Sequence, residues 1–472
     1  MTVALGADAR APGARTRSLL AELRIALPAG AVLTDDESLR ERAFDAKGGP
    51  ADGVPIAVVR PVTTAHVSAV ARIAYAHGTP LVPQGAMSGL AGGANTVDGA
   101  ILIDFGAMNA IVRIDAVDQV AVVQPGVVTE TLALAVAEQG LFYPPDPASS
   151  TVSTIGGNIA TNAGGMRCVK YGVTGDFVRS LEIVLADGRI VRTSAPTVKV
   201  VAGLDLTSLV VGSEGTLAIV TEATLALLAA PGETQGVCAT FATSADALAA
   251  ANAIMASPRR PSTLEFLDGV VLAAIAAYLP DSGLPAGAHA LLLALTDSRD
   301  GGADDVAAYE RIVREHSALV VDVATDPVRL DGLLAARRAF NSAIRAVRGG
   351  SIDEDIAVPR TRLPELLERL DALSVEVGLP IGTGGHVGDG NLHPGICYDP
   401  ADPAQLEAAE FAHSRILALA AELGGTVTGE HGIGVEKLEA LDVELGPTVR
   451  ELQWAIKAAF DPTGILNPGK KL

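Results

Sequence analysis

Short apolar runs alternate with glycine-rich turns between Val54 and Leu228. The runs are VPIAVVRP, GAILIDF, QVAVVQPG, SLEIVLADGRIV and TLAIVTEATLAL, and such runs, bounded by glycine or proline, are typical of β-strands. Helical spacing of apolar residues occurs between them, over 66–77 and 129–139. This half of the chain is therefore predicted to be an α+β domain.

The pattern changes at LLAAPGETQG, residues 227–236, where Pro231 and Gly232 are typical of a domain boundary. Beyond it, ATSADALAAANAIMA and GADDVAAYERIVREH have the spacing of amphipathic helices, and HALLLAL and ALVVDVA that of strands. We therefore predict lead-in helices over 1–53, a first domain over 54–231 and a second, α/β cap domain over 232–472.

Length and charge narrow the class of protein. The 472 residues favour two or three domains, and 35 basic against 55 acidic residues, a net charge of −20, disfavour nucleic-acid binding. The opening segment lacks the apolar core of a secretory signal, the longest apolar run is too short for a transmembrane segment, and the three cysteines are widely separated. We expect a cytoplasmic protein, with peripheral attachment at the inner face of the membrane and a homodimer left open.

Two histidines flank a tight glycine-rich segment in GTGGHVGDGNLHPG, residues 382–395. If residues 388–391 form a turn, His386 lies opposite His393 across a hairpin. Directly opposed side chains have Cβ atoms about 4.5–5.5 Å apart, which suits two nitrogens that bind one cation.

A third candidate ligand, Glu430, lies beside His431 in TGEHGIG, residues 428–434. Neighbouring side chains point apart in regular structure, but a glycine-framed loop could direct the carboxylate to a metal and the imidazole to its bound substrate. A single histidine is more often structural than functional. Two glycine-framed clusters favour a functional site.

Two further segments are rich in glycine and hydroxyl residues: VPQGAMSGLAGGAN, residues 82–95, and YPPDPASSTVSTIGGNIATNAGGMRCVKYG, residues 143–172. Glycine lets backbone N–H groups approach a pyrophosphate, and Ser, Thr and Asn side chains can bind phosphate or a polar ring. Each segment by itself would also fit a run of tight turns in a β-rich domain.

Six segments in this order resemble the FAD-linked 2-hydroxyacid dehydrogenases: PQGAMSGLAGGA, PPDPASSTVSTIGGNIATNAGGMRCVKYG, VVGSEGTLAIVTEATLAL, GHVGDGNLHPG, TGEHGIG and NPGK. That family contains D-lactate dehydrogenase, the glycolate oxidase flavin subunit and D-2-hydroxyglutarate dehydrogenase. The resemblance covers roughly residues 40–472. It implies an α+β, two-domain vanillyl-alcohol-oxidase-type flavoprotein with an N-terminal FAD-binding domain and a C-terminal α/β cap domain for substrate and metal, whose tail returns to the FAD domain.

The resemblance also implies that FAD is bound non-covalently, because the first glycine loop has Met87 and no histidine to which flavin could be attached. The pyrophosphate would lie on residues 84–89 and 150–157, and the flavin ring near Asn162. The residues expected to bind FAD are Pro83, Gln84, Gly85, Ala86, Met87, Ser88, Gly89, Pro145, Asp146, Ser150, Thr151, Gly156, Gly157, Asn158, Asn162, Gly164, Gly165, Glu214, Gly215, Ile219 and Asn467.

By the same resemblance, His386, His393 and Glu430 bind a divalent metal, usually zinc, and His431 is the catalytic base. This combination is chemically coherent. A cation chelated by the carboxylate and hydroxyl of a small 2-hydroxyacid lowers the hydroxyl pKa, His431 takes the proton, and a hydride passes to the flavin.

Departures from the hydroxyglutarate-type pattern bear on the substrate. The sequence offers Arg337 or Arg338, together with Ser342, as substrate-binding residues, but has Asp353 in place of a lysine and Gly395 in place of an asparagine. Losing a cation and an amide favours a lactate- or glycolate-like acid. D-2-hydroxyglutarate is the alternative.

Two different classes of function remain as alternatives: a zinc hydrolase and a non-catalytic nucleotide-binding module. The first leaves the glycine-rich first domain without a purpose, and His431 beside a metal site speaks against the second. The expected electron acceptor is a molecule other than NAD, with quinone, cytochrome, electron-transfer flavoprotein and oxygen all left open.

Overall fold

The computed structural model describes residues 13–48, 53–280 and 288–472. The predicted lead-in over 1–53 therefore falls partly, at 1–12 and 49–52, outside the described residues. The helices of the first domain are α1 (Ala14–Ala26), α2 (Asp36–Glu41), α3 (Thr64–His77), α4 (Thr129–Ala137), α5 (Ile155–Thr161), α6 (Cys168–Tyr171), α7 (Thr174–Phe177) and α8 (Leu206–Val210), with a 3₁₀ turn at Phe105–Ala107. Its strands are β1 (Val32–Leu33), β2 (Ala57–Val59), β3 (Leu81–Gln84), β4 (Ile101–Asp104), β5 (Ile111–Asp115), β6 (Val120–Val123), β7 (Leu141–Phe142), β8 (Val178–Val184), β9 (Ile190–Arg192), β10 (Ile219–Ala226) and β11 (Leu228–Ala229).

The first domain contains two main sheets. One has the order β1-β2-β4-β3, in which β2, β4 and β3 are parallel and β1 runs antiparallel to β2. The other is antiparallel, with the order β5-β6-β10-β8-β9. Helix α3 buries Val67, Val70, Ala71 and Ala74 against the first sheet, because this spacing places all four side chains on one helix face.

The second domain is an antiparallel sheet with helices on both faces. Its helices are α9 (Ser244–Ala256), α10 (Gly269–Tyr278), α11 (Gly302–Glu315), α12 (Pro327–Arg338), α13 (Phe340–Arg348), α14 (Leu363–Val377), α15 (Pro403–Glu422), α16 (Leu441–Glu444) and α17 (Pro447–Phe460), with a 3₁₀ turn at Arg360–Arg362. Its strands are β12 (Gln235–Phe241), β13 (Thr263–Asp268), β14 (Ala290–Thr296), β15 (Val320–Ala324), β16 (Gly350–Asp353), β17 (Ile356–Ala357), β18 (Ile381–His386) and β19 (Asn391–Tyr398).

The strand order of this sheet is β15-β12-β14-β13-β18-β19-β16, and β17 also pairs with β19. Alternation along β13 places Leu264 and Phe266 in one hydrophobic core and Leu267 in the core on the opposite face. Glu265 projects toward that second face. A carboxylate is therefore buried beside the strand that carries His386.

The C-terminal segment returns to the first domain after α17. Leu81 N donates to Ile465 O at 2.8 Å, and Asn467 N donates to Leu81 O at 2.8 Å. Ile465 and Leu466 pack into the first domain's core. Across the described ranges, no helix combines the length and the apolar character needed to cross a membrane.

Candidate functional site

The hairpin between β18 and β19 brings the two histidines together, but not in the predicted register. His386 is paired with Asn391, and His393 with Gly384, across a turn at 387–390. The prediction that His386 and His393 are directly opposed is wrong. Asn391 belongs to the strand because its Nδ2 donates to Asp355 Oδ1 at 2.7 Å and to the Ile356 carbonyl oxygen at 2.9 Å.

The observed register still places both imidazoles on one face of the sheet, as diagonal neighbours. Their ring centroids are 5.3 Å apart and nearly perpendicular. Glu430 Oε1 lies 3.4 Å from His386 Nε2 and 3.5 Å from His393 Nε2. One ligand atom from each of these three residues lies within 4.8 Å of the others, so all three can converge on one cation.

Glu265 orients His386 from behind. Its Oε1 is 2.6 Å from His386 Nδ1, and its Oε2 accepts a hydrogen bond from Arg337 Nε at 2.7 Å. Burial alone would raise the pKa of Glu265, but His386 and Arg337 hold it at about 2. The charged Glu265 fixes the ring so that Nε2 faces Glu430.

Sequence reasoning missed Glu265. The available signal was one acidic residue within the otherwise apolar strand segment TLEFLD, residues 263–268. Its partner was not available from the sequence, because 121 positions separate Glu265 from His386.

His393 has different surroundings. Burial lowers its pKa to about 4, so the imidazole is neutral at ordinary pH. Within the described part of the chain, its Nδ1 has no hydrogen-bond partner and lies 3.9 Å from Asp355 Oδ1. A neutral imidazole has a free lone pair, which is the form that binds a metal.

His431 stacks on His393, with ring centroids 5.4 Å apart and ring planes 17° apart. It is less buried than the two hairpin histidines, with a quarter of its side chain (26%) exposed. Together with Glu430, it forms part of the wall of a cleft that is partly open to solvent. The three-residue cluster therefore opens onto a large cleft at His431.

Most of the cleft belongs to the first domain. Of the residues expected to bind FAD, those on its walls are Pro83, Gln84, Gly85, Ala86, Met87, Ser88, Gly89, Gly156, Gly157, Asn158, Gly164, Glu214, Gly215 and Ile219. The first glycine loop fits closely against α5, because a Cβ on Gly85 would lie 2.5 Å from Thr154 Oγ1. Ser153 and Thr154, within the segment 150–157 predicted to hold the pyrophosphate, also line the cleft, whereas sequence reasoning did not single out Asp45, Phe105, Pro125 and Ser213.

Other residues expected to bind FAD lie away from the described walls: Pro145, Asp146, Ser150, Thr151, Asn162, Gly165 and Asn467. Several of them shape the walls from behind. Asn162 ends α5 in the left-handed conformation (φ 54°), and its Oδ1 accepts from Gly175 N at 2.8 Å. Asn467 Nδ2 donates to the carbonyl oxygens of Gly93 at 2.9 Å and Glu214 at 2.7 Å.

Comparison with known protein families identifies the family of this chain. The family of FAD linked oxidases, C-terminal domain, matches residues 230–471, and the FAD binding domain family matches residues 55–194. The chain belongs to the FAD-linked oxidase family. The resemblance inferred from the six motifs is confirmed.

Two named relatives of this FAD-linked oxidase are similar to it along most of their length. The glycolate oxidase subunit GlcD of Bacillus subtilis is 41% identical over 418 residues, covering 88% of this chain and 89% of that protein. The D-lactate dehydrogenase of Anaerostipes hadrus is 34% identical over 448 residues, covering 93% and 94%. The protein is thus an FAD-linked oxidoreductase related to glycolate oxidase and D-lactate dehydrogenase.

Solved structures support the predicted fold. A p-cresol methylhydroxylase structure superimposes with a TM-score of 0.78 at 18% identity, covering 98% of this chain and 97% of that one. The vanillyl-alcohol-oxidase-type architecture of two domains is confirmed. The membership in an oxidoreductase family leaves the zinc hydrolase and the nucleotide-binding module without support.

The two arginine candidates of this FAD-linked oxidase lie in different environments. Arg337 is directed inward and paired with Glu265, whereas Arg338 is exposed and pairs with Asp331 at 3.1 Å. Ser342 is exposed on α13. Asp353 is paired with Gly395 across β16 and β19, two residues along β19 from His393 and on the same face.

Proposed function

We propose that this oxidoreductase converts a D-2-hydroxyacid of lactate or glycolate size to the 2-oxoacid, with a divalent metal at His386, His393 and Glu430. Electrons then leave the flavin for an acceptor other than NAD. The observation that carries the proposal is the convergence of these three ligand atoms within 4.8 Å of one another beside His431, on the wall of the FAD cleft.

The donor set fits a divalent metal. Two imidazole nitrogens and one carboxylate are three protein ligands of the kind that zinc uses in catalytic sites, where a further position stays open for substrate. Glu265 behind His386 is the carboxylate partner that metal-bound histidines usually have. A bound cation would polarise the substrate hydroxyl and so lower the pKa of that hydroxyl.

The first domain supplies the residues that would hold FAD, at the glycine loop 83–89 and at 156–158. The chemistry that FAD would supply when bound is to accept a hydride from the substrate's Cα. Because Met87 stands where a histidine would be needed, we propose that the cofactor is held without a covalent bond.

His431 is proposed to take the hydroxyl proton. It lies on the cleft wall, and its partial exposure leaves the ring accessible to a substrate. Stacking on His393 sets the plane of the ring, and the backbone N–H of His431 donates to Asp355 Oδ2 at 2.8 Å. Loss of a proton to His431 and of a hydride to the flavin would turn the hydroxyl carbon into a carbonyl carbon, a ketone from lactate and an aldehyde from glycolate, which balances the reaction.

Arg337 is the arginine that we assign to the substrate carboxylate. Its Nε donates to Glu265 at 2.7 Å, and a guanidinium has five N–H donors, so the same side chain could also bind an anion. Asp353 stands in place of a lysine and offers no positive charge to a second carboxylate, and burial raises the pKa of its own carboxyl group. The loss of that cation supports a small monocarboxylate over D-2-hydroxyglutarate.

The proposal can be tested on the purified protein without oxygen. D-lactate, glycolate, L-lactate and D-2-hydroxyglutarate are added separately while the visible flavin absorbance is recorded. We expect D-lactate or glycolate to bleach the flavin fastest and L-lactate to act poorly. If none of the acids bleaches the flavin, the assigned substrate class is wrong.

A further inference from the structure

Residues 428–434, here named the EH loop, carry both the proposed metal ligand Glu430 and the proposed base His431. The loop has no regular secondary structure to fix its conformation. Its backbone N–H groups instead donate to two buried carboxylates, Asp355 and Glu214, one from each domain.

Asp355 belongs to the cap domain and is fully buried. Its Oδ2 accepts hydrogen bonds from the backbone N–H groups of Gly429 at 2.9 Å, Glu430 at 2.8 Å and His431 at 2.8 Å. Its Oδ1 accepts from Asn391 Nδ2 in the histidine hairpin at 2.7 Å. One carboxylate therefore ties the EH loop to the strand that carries His393.

Glu214 belongs to the FAD domain, is 5% exposed and lies on the wall of the cleft. Its Oε1 accepts from Ile433 N at 2.8 Å, and its Oε2 accepts from Gly434 N at 2.7 Å. Lys471 Nζ lies 3.3 Å from Oε1 and balances the charge. Glu214 thus holds the other end of the EH loop against the cleft.

Two glycines of the EH loop allow these carboxylates to approach. A Cβ on Gly429 would meet Asn391 Nδ2, and would lie 2.8 Å from Asp355 Oδ1; one on Gly432, which has a φ of 86°, would lie 2.9 Å from Glu214 Oε1. A larger residue at Gly429 would displace Asn391 together with its partner Asp355, and one at Gly432 would displace Glu214. The spacing of glycines in TGEHGIG therefore matches the two anchors.

We propose that Asp355 and Glu214 are positioning residues that hold the EH loop from the two domains, Asp355 setting Glu430 against the histidine hairpin and Glu214 setting His431 against the FAD cleft. The inference rests on the proposed function of this site. Hydrogen bonds to a buried charge are stronger than those between neutral groups, and removing the acceptor leaves buried N–H groups unpaired. A shift of about 1 Å in the EH loop would then slow the reaction on the order of 10²-fold.

The test for Asp355 uses Asp355→Asn in the full-length holoenzyme. Zinc affinity is measured by competition with a chromophoric chelator, and we expect it to fall roughly 10–100-fold, as when a residue behind a metal ligand is changed. Glu354→Gln is the matched control, because Glu354 is equally buried beside Asp355 but pairs with His413 and Lys437. It should retain zinc like the wild type.

The test for Glu214 uses Glu214→Gln, with Glu222→Gln as its control, because Glu222 lies on β10 of the same domain and pairs with Arg192 at 3.0 Å. We expect Glu214→Gln to retain FAD and to have an unchanged KM. Its flavin should be reduced roughly 10²-fold more slowly, which is the loss expected from a displacement of about 1 Å. Adding His431→Ala should then cost little more, since residues acting through one group are not additive.

Several outcomes would overturn this inference. Loss of FAD from Glu214→Gln would make Glu214 a direct cofactor ligand, and rate losses that add fully to those of His431→Ala would show that Glu214 does not act through His431. Wild-type zinc affinity in Asp355→Asn would remove its positioning role, and if that variant does not fold, Glu214→Gln decides. A wild-type rate in His431→Ala alone would refute the proposed base, while the zinc measurement would still test Asp355.

Discussion

The two hairpin histidines belong to one cluster, but their surroundings shift their pKa values in opposite directions. Burial disfavours the charged form of both, yet the Glu265 and Glu430 carboxylates raise the pKa of His386 well above its ordinary value. Glu430 and Asp355 also favour the charged form of His393, but burial outweighs them and lowers its pKa to about 4. A cation at this site would replace the proton on His386 and meet His393 already neutral.

His431→Ala tests the proposed base. Removing a general base costs about 10²–10⁴-fold in rate, so the variant should keep FAD and metal but reduce its flavin much more slowly. Raising the pH should restore part of the rate, because more of the hydroxyl ionises unaided. Anaerobic stopped-flow reduction across pH measures both effects, with the exposed His289→Ala as control. A wild-type rate would show that another group, such as Glu430 or solvent, takes the hydroxyl proton.

We expect substrate size to depend on Asp353 and Gly395, which are paired across β16 and β19 and replace a lysine and an asparagine of the hydroxyglutarate-type pattern. We expect a higher kcat/KM for D-lactate or glycolate than for D-2-hydroxyglutarate, because the larger acid would place a charge near Asp353. Steady-state kinetics with an artificial electron acceptor give the ratio. A clear preference for hydroxyglutarate would require another cation, such as Arg345, to reach the site.

At the scale of elements, the hairpin shows what the sequence could and could not predict. The glycine-rich segment between apolar residues was enough to predict a hairpin with one histidine on each side of its turn. The register does not follow, because it depends on Asn391 being held in β19 by Asp355 and Ile356, about 35 residues earlier. The same applies to Glu265, whose strand was not connected to the hairpin by any local signal.

Asp268 joins two elements that support the site. It ends β13 and caps α10, accepting from Val271 N at 2.8 Å and from Thr383 N of β18 at 2.5 Å. Asp268→Ala loses a helix cap and leaves a buried N–H unpaired, so the free energy of unfolding should fall by about 2–4 kcal/mol. Chemical denaturation measures it.

The control for Asp268 is Thr243→Ala, which removes only the N-cap of α9. It should cost about 1 kcal/mol. Equal losses in the two variants would show that the bond from Asp268 to β18 contributes nothing measurable.

At the scale of the whole molecule, each domain contributes a separate part of the site. The FAD domain forms most of the cleft, whereas the proposed metal ligands come from the cap domain. Motifs in the sequence predicted both parts and the family. They could not predict that the EH loop is shared, since Glu214 and Gly434 are 220 positions apart.

Because the FAD cleft and the proposed metal ligands come from different domains, we expect that the metal can be lost while FAD stays bound. His386→Ala and His393→Ala should each abolish zinc binding and turnover while the protein keeps its flavin colour. Metal analysis and the visible spectrum of the purified variants give both quantities. Loss of the flavin in either variant would contradict two independent binding sites.

The most direct test of a metal-assisted flavin reaction follows flavin reduction by D-lactate in protein treated with a chelator, without oxygen. The account predicts that the visible flavin band persists after metal removal, that D-lactate no longer bleaches it, and that added zinc restores the bleaching. Bleaching at the full rate without metal, or release of FAD together with the metal, would contradict it.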